Sequence, residues 1–118
     1  MLRASGQVSG AEVDLGLVNG ERASDGGVAQ GARLLAFTEA VMRGDDAARA
    51  QERARLRSVL SPEAFVDACA VIGGFNVVDR IADATGIPLD APLLDMSIDV
   101  RQQLNLARFA SAANTPRP

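Results

Sequence analysis

Along residues 32–43, "ARLLAFTEAVMR", apolar side chains return every three or four positions: Leu34, Phe37 and Val41, with Leu35 and Met42 widening the face. That is the period of an amphipathic helix. Glu39 and Arg43 stand one turn apart as an acid-to-base pair on its outer side, and Gly44 supplies a stop. In "DDAARAQERARLRSVL" the two leading acids suit a helix start. Most of the arginines lie towards the other end, as the helix dipole favours, and Ala and Arg are both strong helix formers.

Ser61-Pro62-Glu63 is a second start signal: a capping serine, a proline in the first turn and an acid behind it. The pattern predicts a helix over 62–85, ended by Gly86, with Ile87-Pro88 preventing continuation. Ala68, Val71, Phe75, Val78 and Ala82 make one continuous apolar seam along it, widened by Val77 and Ile81. Gly73-Gly74 in its middle costs about 1 kcal/mol per glycine relative to alanine. Such a cost is easiest to justify where another helix approaches closely.

The flanks are less regular. Ser9 and Glu12 match a capping box for a short helix over about 10–18. Residues 19–31, "NGERASDGGVAQG", read as a Gly-rich loop without phosphate-loop spacing. Residues 87–96 read as a linker, after which Ser97 caps a last helix over about 98–112 with Asp99 in its first turn. No segment alternates as a strand does. The expectation is an all-α bundle of four or five helices. It divides into residues 1–31 (short capped helix and loop), a helical domain at 32–113, and a frayed tail at 114–118.

Composition removes more chemistry than it suggests. At 118 residues and 47% hydrophobic, the chain fits one globular domain. Histidine is absent, so the commonest general base and the commonest metal ligand are both missing. All twelve basic residues are arginine, which excludes lysine Schiff-base chemistry. One cysteine makes neither an intrachain disulfide nor a Cys/His zinc site. No cofactor and no metal are expected. A net charge of −3 and a pI near 4.8 argue against nucleic acid as a partner. The cluster Arg49, Arg53, Arg55, Arg57 is read as a solvated helix face. No signal-peptide core or membrane-spanning run is evident, so a cytoplasmic protein with no membrane association is expected.

Two features remain as candidate chemistry. Asn76, Asp79, Arg80 and Asp83 form a polar cluster on the long helix, with Asn76 and Arg80 four apart and Arg80 and Asp83 three apart. A pocket lining and a helix-edge network that satisfies Arg80 both account for it, and the second is the commoner arrangement. Cys69 is a weak catalytic candidate. It lies mid-helix between Ala68 and Ala70, near Asp67, without the adjacent cation or base that activates a thiol, which fits a buried structural cysteine.

The order "LLAFTEAVMR", a mixed-charge segment, "LSPEAFVDACAVIGGFNVVDRIADATGIPLD" and a final helix resembles the carboxymuconolactone decarboxylase/alkylhydroperoxidase (AhpD-like) superfamily, in its peroxidase-related branch. The Phe-Asn-x-x-x-Arg-x-Ala-Asp-x-x-Gly pattern is carried here by Phe75, Asn76, Arg80, Ala82, Asp83 and Gly86. The resemblance implies an all-helical, homo-oligomeric antioxidant protein. Members reduce hydroperoxides with a Cys-x-x-Cys pair and a nearby histidine: one thiolate attacks the peroxide and the second resolves the sulfenic acid. Neither the pair nor histidine is present, and no catalytic residue of the family maps onto a position here. The family's order would put that motif just before "MLRASG". The expectation is therefore either the C-terminal part of such a protein or a degenerate member that keeps the scaffold. A non-enzymatic oligomerisation or partner-binding module is the alternative, because missing family segments would leave the Phe75 seam uncovered.

Overall fold

The computed structural model describes Gly10, residues 13–19 and residues 24–115. Among them it is all-α, without a strand. Five α-helices follow one another: α1 (Gly31–Arg43), α2 (Asp46–Arg57), α3 (Pro62–Thr85), α4 (Ala91–Met96) and α5 (Ile98–Gln103). Three short 3-10 helices lie at Leu15–Asn19, Leu106–Arg108 and Ala110–Asn114. Backbone contacts divide the chain into two compact units, Met1–Ile72 and Gly73–Pro118. The division falls inside α3, and so inside the helical domain expected at 32–113.

The first unit is built on the α1–α2 hairpin. Gly44 takes φ 72° and its N–H donates to the Val41 carbonyl, closing α1 in the left-handed conformation that glycine adopts without strain. Asp45 then caps α2, its Oδ1 accepting from the N–H groups of Ala47 and Ala48 at 3.0 Å each. So short a connection sets the two helices side by side. Phe37, 3% exposed, Ala40 and the fully buried Leu56 form the core between them. Phe65, at the start of α3, adds its ring at 5.7 Å from that of Phe37. The predicted Glu39–Arg43 pair is present at 2.8 Å.

The loop before α1 is folded rather than open. Asp25 accepts from the Ala32 N–H through its side chain at 3.1 Å and from the Val28 N–H through its carbonyl at 3.0 Å. The chain turns back so closely that a Cβ on Gly31 would collide with the Asp25 carbonyl oxygen. The short α-helix expected over 10–18 is not found among the described residues. Leu15–Asn19 is a 3-10 turn, anchored where Asp14 Oδ1 accepts from the Gly16 N–H at 2.9 Å. An aspartate bonding its own downstream backbone competes with a helix start. The capping pair Ser9 and Glu12 lies outside the described residues.

Helix α3 has its predicted bounds, Pro62–Thr85. Ser61 Oγ accepts from the Ala64 N–H at 3.2 Å at one end. At the other, Gly86 at φ 66° and an Ile87 N–H bond to the Ala82 carbonyl at 3.2 Å make the reversal. The segment 87–96 is a correction: it contains α4. Asp90 Oδ1 accepts from the Leu93 N–H at 2.9 Å, and proline stands in the first turn. The last helix is also shorter than the pattern predicts. α5 stops at Gln103, because Asn105 adopts φ 48°, a left-handed conformation that asparagine tolerates better than most residues, and two 3-10 turns replace the remainder. Ser97 flanks α5 without a side-chain cap. Its hydroxyl donates to the Leu93 carbonyl and accepts from Arg101 Nε at 3.1 Å.

Candidate functional site

Of the polar cluster on α3, the structure joins one pair. Arg80 Nε donates to Asn76 Oδ1 at 2.8 Å, as the four-residue spacing requires. Among the described residues Arg80 makes no ion pair with Asp83 or Asp79. Arg80, Asp79 and Asp83 are exposed and Asn76 is half-buried. A bond along an exposed helix contributes a few tenths of a kcal/mol and converges on no enclosed space.

Cys69 is half-buried rather than buried. It shares a face of α3 with Phe65, Ala68, Ile72 and Asn76, which are half-buried as well. Among the described residues no group of three or more metal-binding side chains comes together. Nor, among them, is any helix long and apolar enough to cross a membrane.

Three of the four arginines of α2 are engaged one by one. Arg49 pairs with Asp46, Arg55 with Glu52 at 2.7 Å, and the Arg57 guanidinium lies 5.9 Å over the Phe65 ring. Two of the four charges in that cluster, Arg49 and Arg55, are thus offset by an acid one turn away. At the start of α3, Glu63 has its carboxyl held below the usual carboxylate range. Its own backbone N–H is the larger cause and the Ser61 hydroxyl the smaller.

In the second unit, Leu94, Ile98, Leu106, Phe109 and Thr115 line an open hollow of about 1230 Å³. Two arginines line it: Arg101 donates to the Leu94 carbonyl at 2.8 Å and to Ser97 Oγ, and the Arg108 guanidinium lies 4.9 Å over the Phe109 ring.

The state of the α3 surface is the point on which the sequence left alternatives open. The seam through Val71, Phe75 and Val78 is not covered: all three are exposed, Phe75 by 67%. Val66, Val77 and Ile81 are exposed as well, and no residue of α3 is fully buried. Periodicity showed the apolar surface but not whether the chain itself supplies anything to cover it. A usable signal was the glycine pair, which removes side-chain bulk where no neighbour lies within 4 Å. No protein-family model, no curated protein and no solved structure matches this chain.

Proposed function

We propose that the chain is a helical association module: a scaffold whose long helix completes its packing against another protein surface. The observation that carries this reading is the row of large apolar side chains left exposed on α3, Val66, Val71, Phe75, Val77, Val78 and Ile81. Contiguous exposed apolar surface on one helix is the usual mark of an interaction site. Burying half-exposed valines and isoleucines recovers about 1 kcal/mol each. Sedimentation equilibrium of the full chain over a concentration series tests it. Assembly that grows with concentration is expected; a stable monomer throughout would overturn it.

The AhpD-like superfamily is the parent scaffold we favour, on the strength of Phe75, Asn76, Arg80, Ala82, Asp83 and Gly86. The Asn76–Arg80 bond supports a structural role for that motif, since it ties one turn of α3 to the next. In this reading the chain alone gives no thiol-dependent peroxidase turnover, because no resolving cysteine accompanies Cys69. Hydroperoxide consumption that disappears in Cys69→Ser would overturn it and make Cys69 a working thiol.

A further inference from the structure

The hollow of the second unit lies wholly among residues 89–115 and includes no residue of α3. Two local features shape it. Thr115 Oγ1 accepts from the Leu89 N–H at 3.1 Å, tying the end of the described chain back to the segment before α4. Asn105, at φ 48°, ends α5, and the turns beyond it bring Leu106 and Phe109 to the space that Leu94 and Ile98 line.

The charges on its wall are of one sign. Arg101 and Arg108 line the hollow, and neither aspartate nor glutamate does. Asp90, Asp95 and Asp99 stand on or beside α4 and α5 but outside that lining. Among the described residues neither arginine joins an ion pair. Arg101 is half-buried and held in place. Its Nε donates to Ser97 Oγ at 3.1 Å and its Nη2 to the Leu94 carbonyl at 2.8 Å, which leaves the two N–H groups of Nη1 to donate elsewhere. The Arg108 guanidinium lies 4.9 Å over the Phe109 ring. Stacking uses the flat face of the group and leaves its in-plane N–H fork for an anion. On a chain of net charge −3, this is a local positive site without a counter-ion of its own.

Size and surface choose among anions. A hollow of about 1230 Å³ is larger than the ~300–1,000 Å³ of most small-molecule sites, so an inorganic ion would leave most of it to water. Its apolar wall suits a hydrocarbon body, and Ile98 and Phe109 have about half their surface still to cover. We propose that the hollow binds an amphipathic anion, a free carboxylate with a hydrocarbon chain. The carboxylate accepts from Arg101 and Arg108, and the chain lies against Leu94, Ile98, Leu106 and Phe109.

Isothermal titration calorimetry of the full chain with sodium decanoate, below the concentration at which it forms micelles, tests this. Saturable uptake at one decanoate per chain is expected. Octanoate should bind about tenfold more weakly, because two fewer methylenes are buried. Decyltrimethylammonium, with the same chain and the opposite charge, and acetate, with the same charge and no chain, should not saturate. Arg108 is exposed and its side chain makes no hydrogen bond among the described residues, so Arg108→Gln should leave far-UV circular dichroism unchanged while weakening decanoate binding about tenfold. Arg101→Gln should weaken it at least as much, since it also releases the Leu94 carbonyl. A variant at either position that binds decanoate as wild type does would overturn the assignment. So would wild type without saturable uptake. Equal uptake of the ammonium compound would reduce the hollow to an apolar surface. Wild type that ignores free decanoate but sediments with phosphatidylserine vesicles would make the occupant a lipid surface, against the proposal.

Discussion

The α1–α2 hairpin and helix α3 are built from similar material and end in different states. Both are rich in Ala, α2 and α3 each have a capping side chain at the start, and α1 and α3 each end at a glycine with positive φ. The hairpin buries Phe37, Ala40 and Leu56; α3, twice as long as α2, buries nothing completely. The difference lies in what each helix faces. Gly44 and Asp45 return α2 directly onto α1, so the apolar stripes find one another within the chain. The exposed stripe of α3 has no such return. Local signals are enough to make a helix, but burial needs an opposing surface. Where the chain leaves such a surface open, the apolar residues on it are candidates for recognition.

If the hairpin is the stable part, the largest effect should come from its centre. Leu56→Ala removes a fully buried side chain between two helices and should cost about 2–5 kcal/mol by chemical denaturation, whereas Val77→Ala on α3 should change the stability of dilute protein by under about 1 kcal/mol. Equal losses at the two positions would break the contrast, since they would mean that Val77 is covered within a single chain. Gly31→Ala comes next. Its Cβ collides with the Asp25 carbonyl, and relieving that clash must move the loop against α1 at a cost of about 1–3 kcal/mol. Loss of amide protection at Ala32, whose N–H donates to Asp25, is the signature to follow by hydrogen exchange.

The residues that made the helices legible were those acting locally. Ser61, Pro62 and Gly86 bound α3 where the sequence indicates, and Glu39 with Arg43 pairs as spacing demands. The misreadings also came from local chemistry, at residues with more than one option. Asp90 two residues before Pro92 is a cap-and-proline start, yet its few apolar followers read as linker. Asn105 interrupts a pattern that periodicity alone would continue to residue 112, because a left-handed asparagine leaves no mark on hydrophobic spacing. The polar cluster was legible as far as Asn76–Arg80, the one pair whose contact the helix itself enforces. An uncovered Phe75 seam was legible only as the alternative reading, since coverage depends on segments remote in sequence.

Caps separate the two units at a smaller scale. Asp45 holds two backbone N–H groups of α2, while Asp90 holds one of α4. Asp45→Ala should lower stability by about 1 kcal/mol, in step with the hairpin core. Asp90→Ala should leave the hairpin's unfolding midpoint unchanged and raise exchange only within residues 91–96. A shift of the hairpin midpoint in Asp90→Ala would show that the second unit supports the first more than the contrast allows.

The smallest effect is the most discriminating, because its sign depends on what lies opposite α3. In an exposed helix interior, alanine is better than glycine by about 1 kcal/mol. A Cβ at Gly74 meets open space within the chain. Gly74→Ala should therefore raise the stability of dilute, monomeric protein by somewhat under that amount, measured by urea denaturation at low concentration. If the glycine exists to let a second helix come close, the same methyl group should hold the two axes apart and weaken association. The two measurements then move in opposite directions: a firmer helix and a weaker assembly. A gain in both would mean that the glycine pair has no part in the contact, and that the open face of α3 is engaged elsewhere along its length. A loss in dilute protein would mean that Gly74 is already approached within a single chain, and the contrast between covered hairpin and uncovered helix would fail at its centre.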